Sequence, residues 1–540
     1  MNFPVTAAST DSSQPHSIIG ANADSNSRTP LLFWILSALM VLYVALCVGN
    51  RDIVPEADAW EHHRVIVTLS KELWNPGNPT YATADSSIRY SPYFLSQALF
   101  VRWTGIDAYH VLGFVAVLNT ALLCFAVRGL MAAWGELKST GVALLFMISL
   151  YGIAPGYAGS FALADLPWHQ VNPSAFAFAL VLIALTQIKR ISDGTTSPIA
   201  GWLIVAVGLI LPLLDHAMTG AFGAMAAGLT AIYLRKSKLL IGAVVCVAIA
   251  VAVALAWPWY SFKEALTVRR DVDYWFNHLI LRYMFLYWCM PAMFLSVVSL
   301  FSRDRPAVQY LLLIGWSGMS LALISILLRS PTFARFPMPS TTFLQLAIAV
   351  MACQFGVLAV SSWPSRVLAI ARGGEGAVRP LLQFVVLGGL LYGLIPQALA
   401  VITQPFLARH ITSHFKTIQD QQLHLLPLYK EVLKDIGEKD VVMAQPVTAW
   451  PVPSVRGRIV SALHYELYTF DQPRRDADVS EFFDPDTSDE RRLELVKFYN
   501  ARWILIDERV ISQRLIDTLA QGQPIVARAG PFVLLRAPGN

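Results

Sequence analysis

Apolar residues fall along this chain in blocks closed by charges or proline. At 1.5 Å rise per residue, a block of about 20 crosses a hydrocarbon core of about 30 Å. Eleven such blocks predict helical spans near 31–49, 109–131, 139–158, 174–188, 199–214, 217–234, 239–257, 281–301, 308–328, 341–361 and 380–402. The pair meeting at Asp215-His216 reads either as two helices or as one bent re-entrant unit. Residues 1–30 are rich in Ser, Asn, Asp and Thr, with no apolar core or small-residue cleavage site. They read as a disordered cytoplasmic tail, which leaves the first block as an uncleaved span.

The pattern changes near Phe406. A helix over 423–436, strands at 440–444, 458–461 and 502–507, helices at 488–499 and 510–520 and a hairpin-like pair through 524–536 predict a small α/β domain. The Pro-rich stretch after the first strand reads as extended. The expected architecture is therefore an α-helical polytopic membrane protein, with a transmembrane domain over 31–405, a large first loop over 50–108 and an α/β domain over 406–540.

Composition agrees. Of 540 residues 55% are hydrophobic and 14% charged, with a mean hydropathy of +0.51, whereas soluble chains carry about 25% charged residues. The net charge of +5 comes from basic residues set mostly in short loops, so nucleic acid is not implied. Cys47, Cys124, Cys246, Cys289 and Cys353 all fall within or beside apolar blocks without a CxxC pair, and predict free, inert thiols.

Charge also orients the helices. With the N-terminus inside, the inner connections hold Arg128, Lys138, Lys189, Arg190, Arg235, Lys236, Lys238, Arg303, Arg305, Arg366, Arg372 and Arg379. The opposite short connections 159–173 and 215–216 hold no Lys or Arg, and the basic residues of that side sit mainly in long loops, where bias matters less. An odd number of spans then puts the C-terminal domain outside the cytoplasm, on the periplasmic or extracellular face of a bacterial inner membrane.

Those outer loops hold the candidate chemistry. Pro55-Glu56-Ala57-Asp58-Ala59-Trp60-Glu61-His62-His63 starts a helix at Pro55, with Asp58, Glu61 and His62 one turn apart on one face. Such carboxylates suit a general base, and equally an interfacial helix with a solvated acidic face. Arg89-Tyr90-Ser91-Pro92-Tyr93-Phe94 suits either interfacial anchoring or a wall for a sugar or isoprenoid, with Arg89 for a phosphate. Asp165 through Pro173, with Trp168 and His169, is either a polar site or a capped loop. Asp215-His216 lies where ionisable groups usually face a cavity. The aromatic stretch from Trp257 through Arg269-Arg270 to His278 suits a helix lying on the membrane, and Arg335 suits a lipid phosphate or snorkelling to head groups. No HxxxH or HxH spacing fixes a metal ligand pair, so no metal site is assigned, although the outer His and carboxylates are compatible with a divalent cation as the one cofactor.

The layout resembles the GT-C superfamily of membrane glycosyltransferases, which use polyprenyl-phosphate-linked sugars. The resemblance rests on Glu56, Asp58 and Glu61 in the first loop, Arg89-Tyr90-Ser91-Pro92, Arg335-Phe336, and in the tail Gly457-Arg458-Ile459-Val460 and Tyr499 through Asp507. It implies a first-loop general base, carried to Asp58 first and Glu56 second, and an Arg that grips the donor phosphate. The family's common acidic dipeptide is replaced here by Glu56-Ala57-Asp58. Taken with the readings of the outer loops, it gives a catalytic set of Asp58, Glu56 and Glu61 and a substrate set of Arg89, Tyr90 and Arg335 from the resemblance and Asp165, His169 and His216 from the loops. The partners it implies are a polyprenyl-phosphate-linked sugar, a glycan, lipid or protein acceptor, and the bilayer. A lipid-linked glycan flippase, a secondary transporter, and a surface-polysaccharide polymerase or ligase are the alternatives. No internal repeat of the kind transporters carry is evident.

Overall fold

The computed structural model describes residues 29–48, 57–83, 85–152, 160–267, 289–302, 305–328, 333, 335–357, 378–402, 425–463, 469, 471–521 and 524–538. The N-terminal tail, Glu56 and the stretch through Arg269-Arg270 to His278 lie outside them. Each of the eleven predicted blocks contains a helix. Eight are of spanning length and hydropathy: α1 (Leu31–Val48), α4 (Ala108–Ala133), α7 (Pro173–Asp193), α8 (Pro198–Asp215), α10 (Ser237–Leu255), and the helices Pro306–Leu327, Pro337–Phe355 and Pro380–Leu399. Residues Leu137–Ser149, which include α5 (Thr140–Ser149), and α9 (Ala217–Tyr233) are shorter apolar helices. The chain is an integral membrane protein whose helices share one large apolar core.

Pro337–Phe355 lies at the centre of that bundle, with every residue from Pro337 to Ala352 buried. By contrast α1 and α10 leave Leu39, Leu42, Ile241 and Val244 uncovered, as helices facing lipid do. Asp215-His216 separates two helices: α8 ends at Asp215, and His216, at φ −153°, ψ 88°, starts α9 by accepting from the Thr219 N–H. The turn is tight, since a Cβ on Gly220 would stand 2.5 Å from the Leu213 Cα.

Outside the bundle the first loop folds into α2 (Ala57–Lys71) and α3 (Pro92–Thr104). Pro92 occupies the first turn of α3, and Gly105, left-handed at φ 69°, ends it by donating to the Val101 carbonyl. Short α6 (Leu166–His169) forms the second outer loop, and α11 (Phe262–Thr267) follows the Trp257–Tyr260 turn.

The C-terminal domain is a five-stranded sheet of order β2-β1-β3-β5-β4, with β1 (Val441–Met443), β2 (Arg458–Ile459), β3 (Ala501–Asp507), β4 (Ile525–Ala529) and β5 (Phe532–Arg536). β1 is parallel to β2 and β3, while β3, β5 and β4 run antiparallel. Period-two alternation divides the sheet into two apolar layers. Met443, Ile504, Ile506, Val533 and Leu535 face the helices Gln472–Phe482, Asp489–Phe498 and Gln513–Ala520. On the other face, Val442, Leu505 and Leu534 pack with Tyr429 of the helix Leu425–Val432 and with Tyr81 of the first loop.

One expectation needs correction here. The Pro-rich segment is two helical turns, Pro446–Ala449 and Val452–Val455, because the φ that proline fixes serves a helix's first turn as well as an extended chain. The helix Gln472–Phe482 and the extent of α3 were not predicted from the apolar pattern. The first loop and the C-terminal domain also share a core: Tyr81 bridges Ile459 in parallel, and the Ile459 N–H donates to the Thr80 carbonyl at 3.1 Å.

Candidate functional site

α2 is amphipathic around a fixed axis. Val65, Ile66 and Leu69 pack on Tyr90, Tyr93 and Phe94 of α3 and its approach, while Ala59 and Trp60 pack on Leu426 of the C-terminal domain. Ser454 donates its hydroxyl to the Trp60 carbonyl. α2 is thus clamped between the bundle and the sheet domain, with Glu61, His62, His63 and Arg64 enclosed.

Within the clamp, Glu61 is 8% exposed. It forms an ion pair with Arg89, and Trp450 Nε1–H donates to its Oε1 at 3.1 Å. A buried carboxylate needs such partners. One turn earlier Asp58 is partly exposed on the same face. His62 packs its ring 4.9 Å from that of Phe94. Burial lowers the His62 pKa to about 4, against the pull of Asp58 and with help from Arg89, so the imidazole is neutral near pH 7.

One turn on from Glu61, Arg64 is buried, donates to the Pro79 carbonyl at 2.6 Å and pairs with Glu438 at 3.7 Å. Lys71 joins Glu438 at 2.7 Å. Burial of Arg64 holds its pKa down, at about 10, where it remains a cation at neutral pH.

A second polar cluster lies where α3, α6 and α8 meet. Asp215 accepts from the Tyr93 backbone N–H at 2.8 Å, a carboxylate at the positive end of α3. The Tyr93 hydroxyl donates to the Val171 carbonyl at 2.9 Å and accepts from Asn119, which also reaches the Gln170 carbonyl. Tyr93 therefore ties α3 to the end of α8 and to the segment after α6. His216, beside Asp215, is within electrostatic reach of Arg335; burial first and Arg335 second hold its pKa down, at about 3.

The structure accordingly brings Asp58, Glu61 and Arg89 together, and His216 with Arg335. It puts Tyr90 to structural use: its hydroxyl donates to the Gly77 carbonyl at 2.6 Å and its carbonyl accepts from Trp257 Nε1 at 2.9 Å. Asp165 sits in the turn before α6, and His169 is buried at that helix's last residue. Among the described residues no group of three or more His, Cys, Asp or Glu is arranged to hold a metal. The residues that spacing did not reveal are Tyr93, Trp450 and Ser454; Trp450 and Ser454 come from about 390 positions downstream of α2 and leave no local signal.

The fold has solved relatives. ArnT from Cupriavidus metallidurans in the apo state is similar over 94% of this chain and 97% of its own, at 13% identity and a TM-score of 0.51. The same protein bound to undecaprenyl phosphate matches over 94% and 98%, at 12% identity and a TM-score of 0.52. The oligosaccharyltransferase of Archaeoglobus fulgidus, apo form, covers 88% of this chain and 70% of its own, at 12% identity and a TM-score of 0.47. No protein-family model matches the sequence, and neither does any curated protein. The chain therefore shares its fold with ArnT over nearly its whole length.

Proposed function

We propose that this chain is a membrane glycosyltransferase that moves a sugar from a polyprenyl-phosphate-linked donor to a hydroxyl of a glycan, lipid or protein acceptor at the outer membrane face. The observation that carries the reading is the division of labour on α2. Glu61 is neutralised by Arg89 and Trp450, and Asp58, one turn away, keeps access to solvent beside the bundle. This pattern supports Asp58 as base, with Glu61 and Arg89 as positioning residues. Glu56, outside the described residues, is the second candidate for base. The shared fold with a protein crystallised with undecaprenyl phosphate supports a lipid-phosphate donor.

In this mechanism the acceptor oxygen attacks the anomeric carbon while Asp58 takes its proton. The bond from that carbon to the phosphate oxygen breaks, and its electron pair leaves on the polyprenyl phosphate. One in-line displacement inverts the anomeric centre. Arg335 faces the developing phosphate charge, and the neutral, buried His216 beside it supplies a hydrogen bond without adding charge. The His169 and Asp165 loop forms a wall of the acceptor side. The donor carries its own leaving group, so the protein need only deprotonate one hydroxyl and stabilise one departing anion.

Purified protein in liposomes, given radiolabelled polyprenyl-phosphate sugars and an envelope extract, is expected to yield a labelled product and unlabelled polyprenyl phosphate in equal amounts. Movement of intact labelled donor across the bilayer without cleavage would show a flippase instead.

A further inference from the structure

A polar cavity lies beside α2, on the side away from Glu61. It has a volume of about 310 Å³ and is lined by His63, Asp107, Tyr109, Lys430, Lys434 and Arg456, with Ser454 and apolar Leu433 and Val455 completing it. Helical geometry at about 100° per residue puts His63 across the helix from Glu61, so this cavity is separate from the Asp58 and Glu61 face. Three of its lining residues are cations and one, Asp107, is an anion. Asp107 is already engaged as the cap of α4, accepting from the Tyr109 N–H at 2.8 Å. The nearby Glu438 is engaged by Arg64 and Lys71.

The cations are placed rather than scattered. Lys430 and Lys434 are one turn apart at the end of the helix Leu425–Val432, and Arg456 donates from Nη1 to the Lys434 carbonyl at 2.7 Å, which fixes its guanidinium at the rim. His63 supplies an independent sign of a ligand. It is 6% exposed, stacked on Tyr109 with ring centroids 3.7 Å apart, and its Nδ1 has no hydrogen-bond partner among the described residues. The neutral His63 ring spends its one N–H on the Ser454 backbone, so Nδ1 is a buried acceptor whose cost a bound O–H donor, such as the P–OH of a monoanionic phosphate, would recover.

Depth in the membrane narrows the ligand. Asp107 and Tyr109 place the cavity at the first residues of the spanning helix Ala108–Ala133. The adjoining end of α3 exposes Phe100, Trp103 and Ile106, a belt of the kind that marks the head-group level. We propose that this cavity binds the anionic phosphate of a membrane lipid head group, held by Lys430, Lys434 and Arg456 with His63 Nδ1 beneath it. The site stands apart from the transferase reading and does not require it.

The test uses the full chain in neutral detergent and native mass spectrometry. The probes are short-chain phosphatidic acid, short-chain phosphatidylcholine and inorganic phosphate. Wild type is expected to retain phosphatidic acid, and the variant Lys430→Gln/Lys434→Gln/Arg456→Gln to bind it at least about tenfold more weakly, the equivalent of one charge-assisted bond. The Lys430→Arg/Lys434→Arg variant is expected to bind as wild type does. Undiminished binding by the Gln variant would overturn the site. Equal affinity for phosphatidylcholine would overturn its preference for an anion, and equal affinity for inorganic phosphate would overturn the lipid assignment.

Discussion

Glu61 of the first loop accepts the indole N–H of Trp450 of the C-terminal domain at 3.1 Å, although the two are 389 positions apart. The domain therefore contributes a wall of the site and holds the carboxylate that in turn holds Arg89. Trp450→Phe removes this one donor from a buried carboxylate and is expected to lower stability by about 1–3 kcal/mol. Thermal unfolding of the detergent-solubilised protein checks this.

Breaking the ion pair should cost more. Glu61→Gln leaves Arg89 mostly buried without its counter-charge, and loss of a buried partner costs about 3 kcal/mol. A matched change, Glu61→Gln with Arg89→Gln, is expected to recover much of that loss. If the double variant were as unstable as the sum of the singles, measured as Tm, the pair would not be coupled.

His62 and His63 set the acid side of the stability profile. Burial holds their pKa values near 4 and 3, so the folded chain keeps them neutral while the unfolded chain takes up protons near pH 6.5. The unfolded state then binds more protons from about pH 6.5 down to about 4 for His62 and 3 for His63, and stability falls as pH falls through that window. His62→Gln/His63→Gln is expected to flatten this part of the Tm profile against pH, and an unchanged slope would contradict the assignment.

The α8–α9 turn admits no side chain at Gly220. Its Cβ would meet the Leu213 backbone at 2.5 Å, which neighbouring atoms cannot relieve by a rotamer change. Gly220→Ala is expected to destabilise by about 1–3 kcal/mol and to weaken the His216 cap. Ala226→Gly, in the same helix, serves as the comparison, since it opens space instead of filling it.

How much of this was legible follows from the range of each signal. The blocks from Leu31 to Ile402 announced themselves because bilayer burial constrains every residue of a span, and the helix caps at Pro92, Pro173 and Gly194 are local. β3 and the hairpin were visible as short runs rich in β-branched and apolar residues. The pairing of Glu61 with Arg89 and Trp450, and the three ties made by Tyr93, depend on long-range packing. No spacing rule reaches from position 93 to 171 and 215. The Pro446–Val455 segment was misread because proline suits two backbone states, and packing against α2 selects the helical one.

The measurement that bears most directly on the central claim is single-turnover transfer from a labelled polyprenyl-phosphate sugar by wild type, Asp58→Asn and Glu61→Gln, with donor affinity measured alongside. Asp58→Asn is expected to slow the transfer step by about 10²–10⁴-fold at unchanged donor affinity, the usual contribution of a general base. Glu61→Gln should instead lose stability and donor affinity together. Transfer at the wild-type rate by Asp58→Asn would contradict the account.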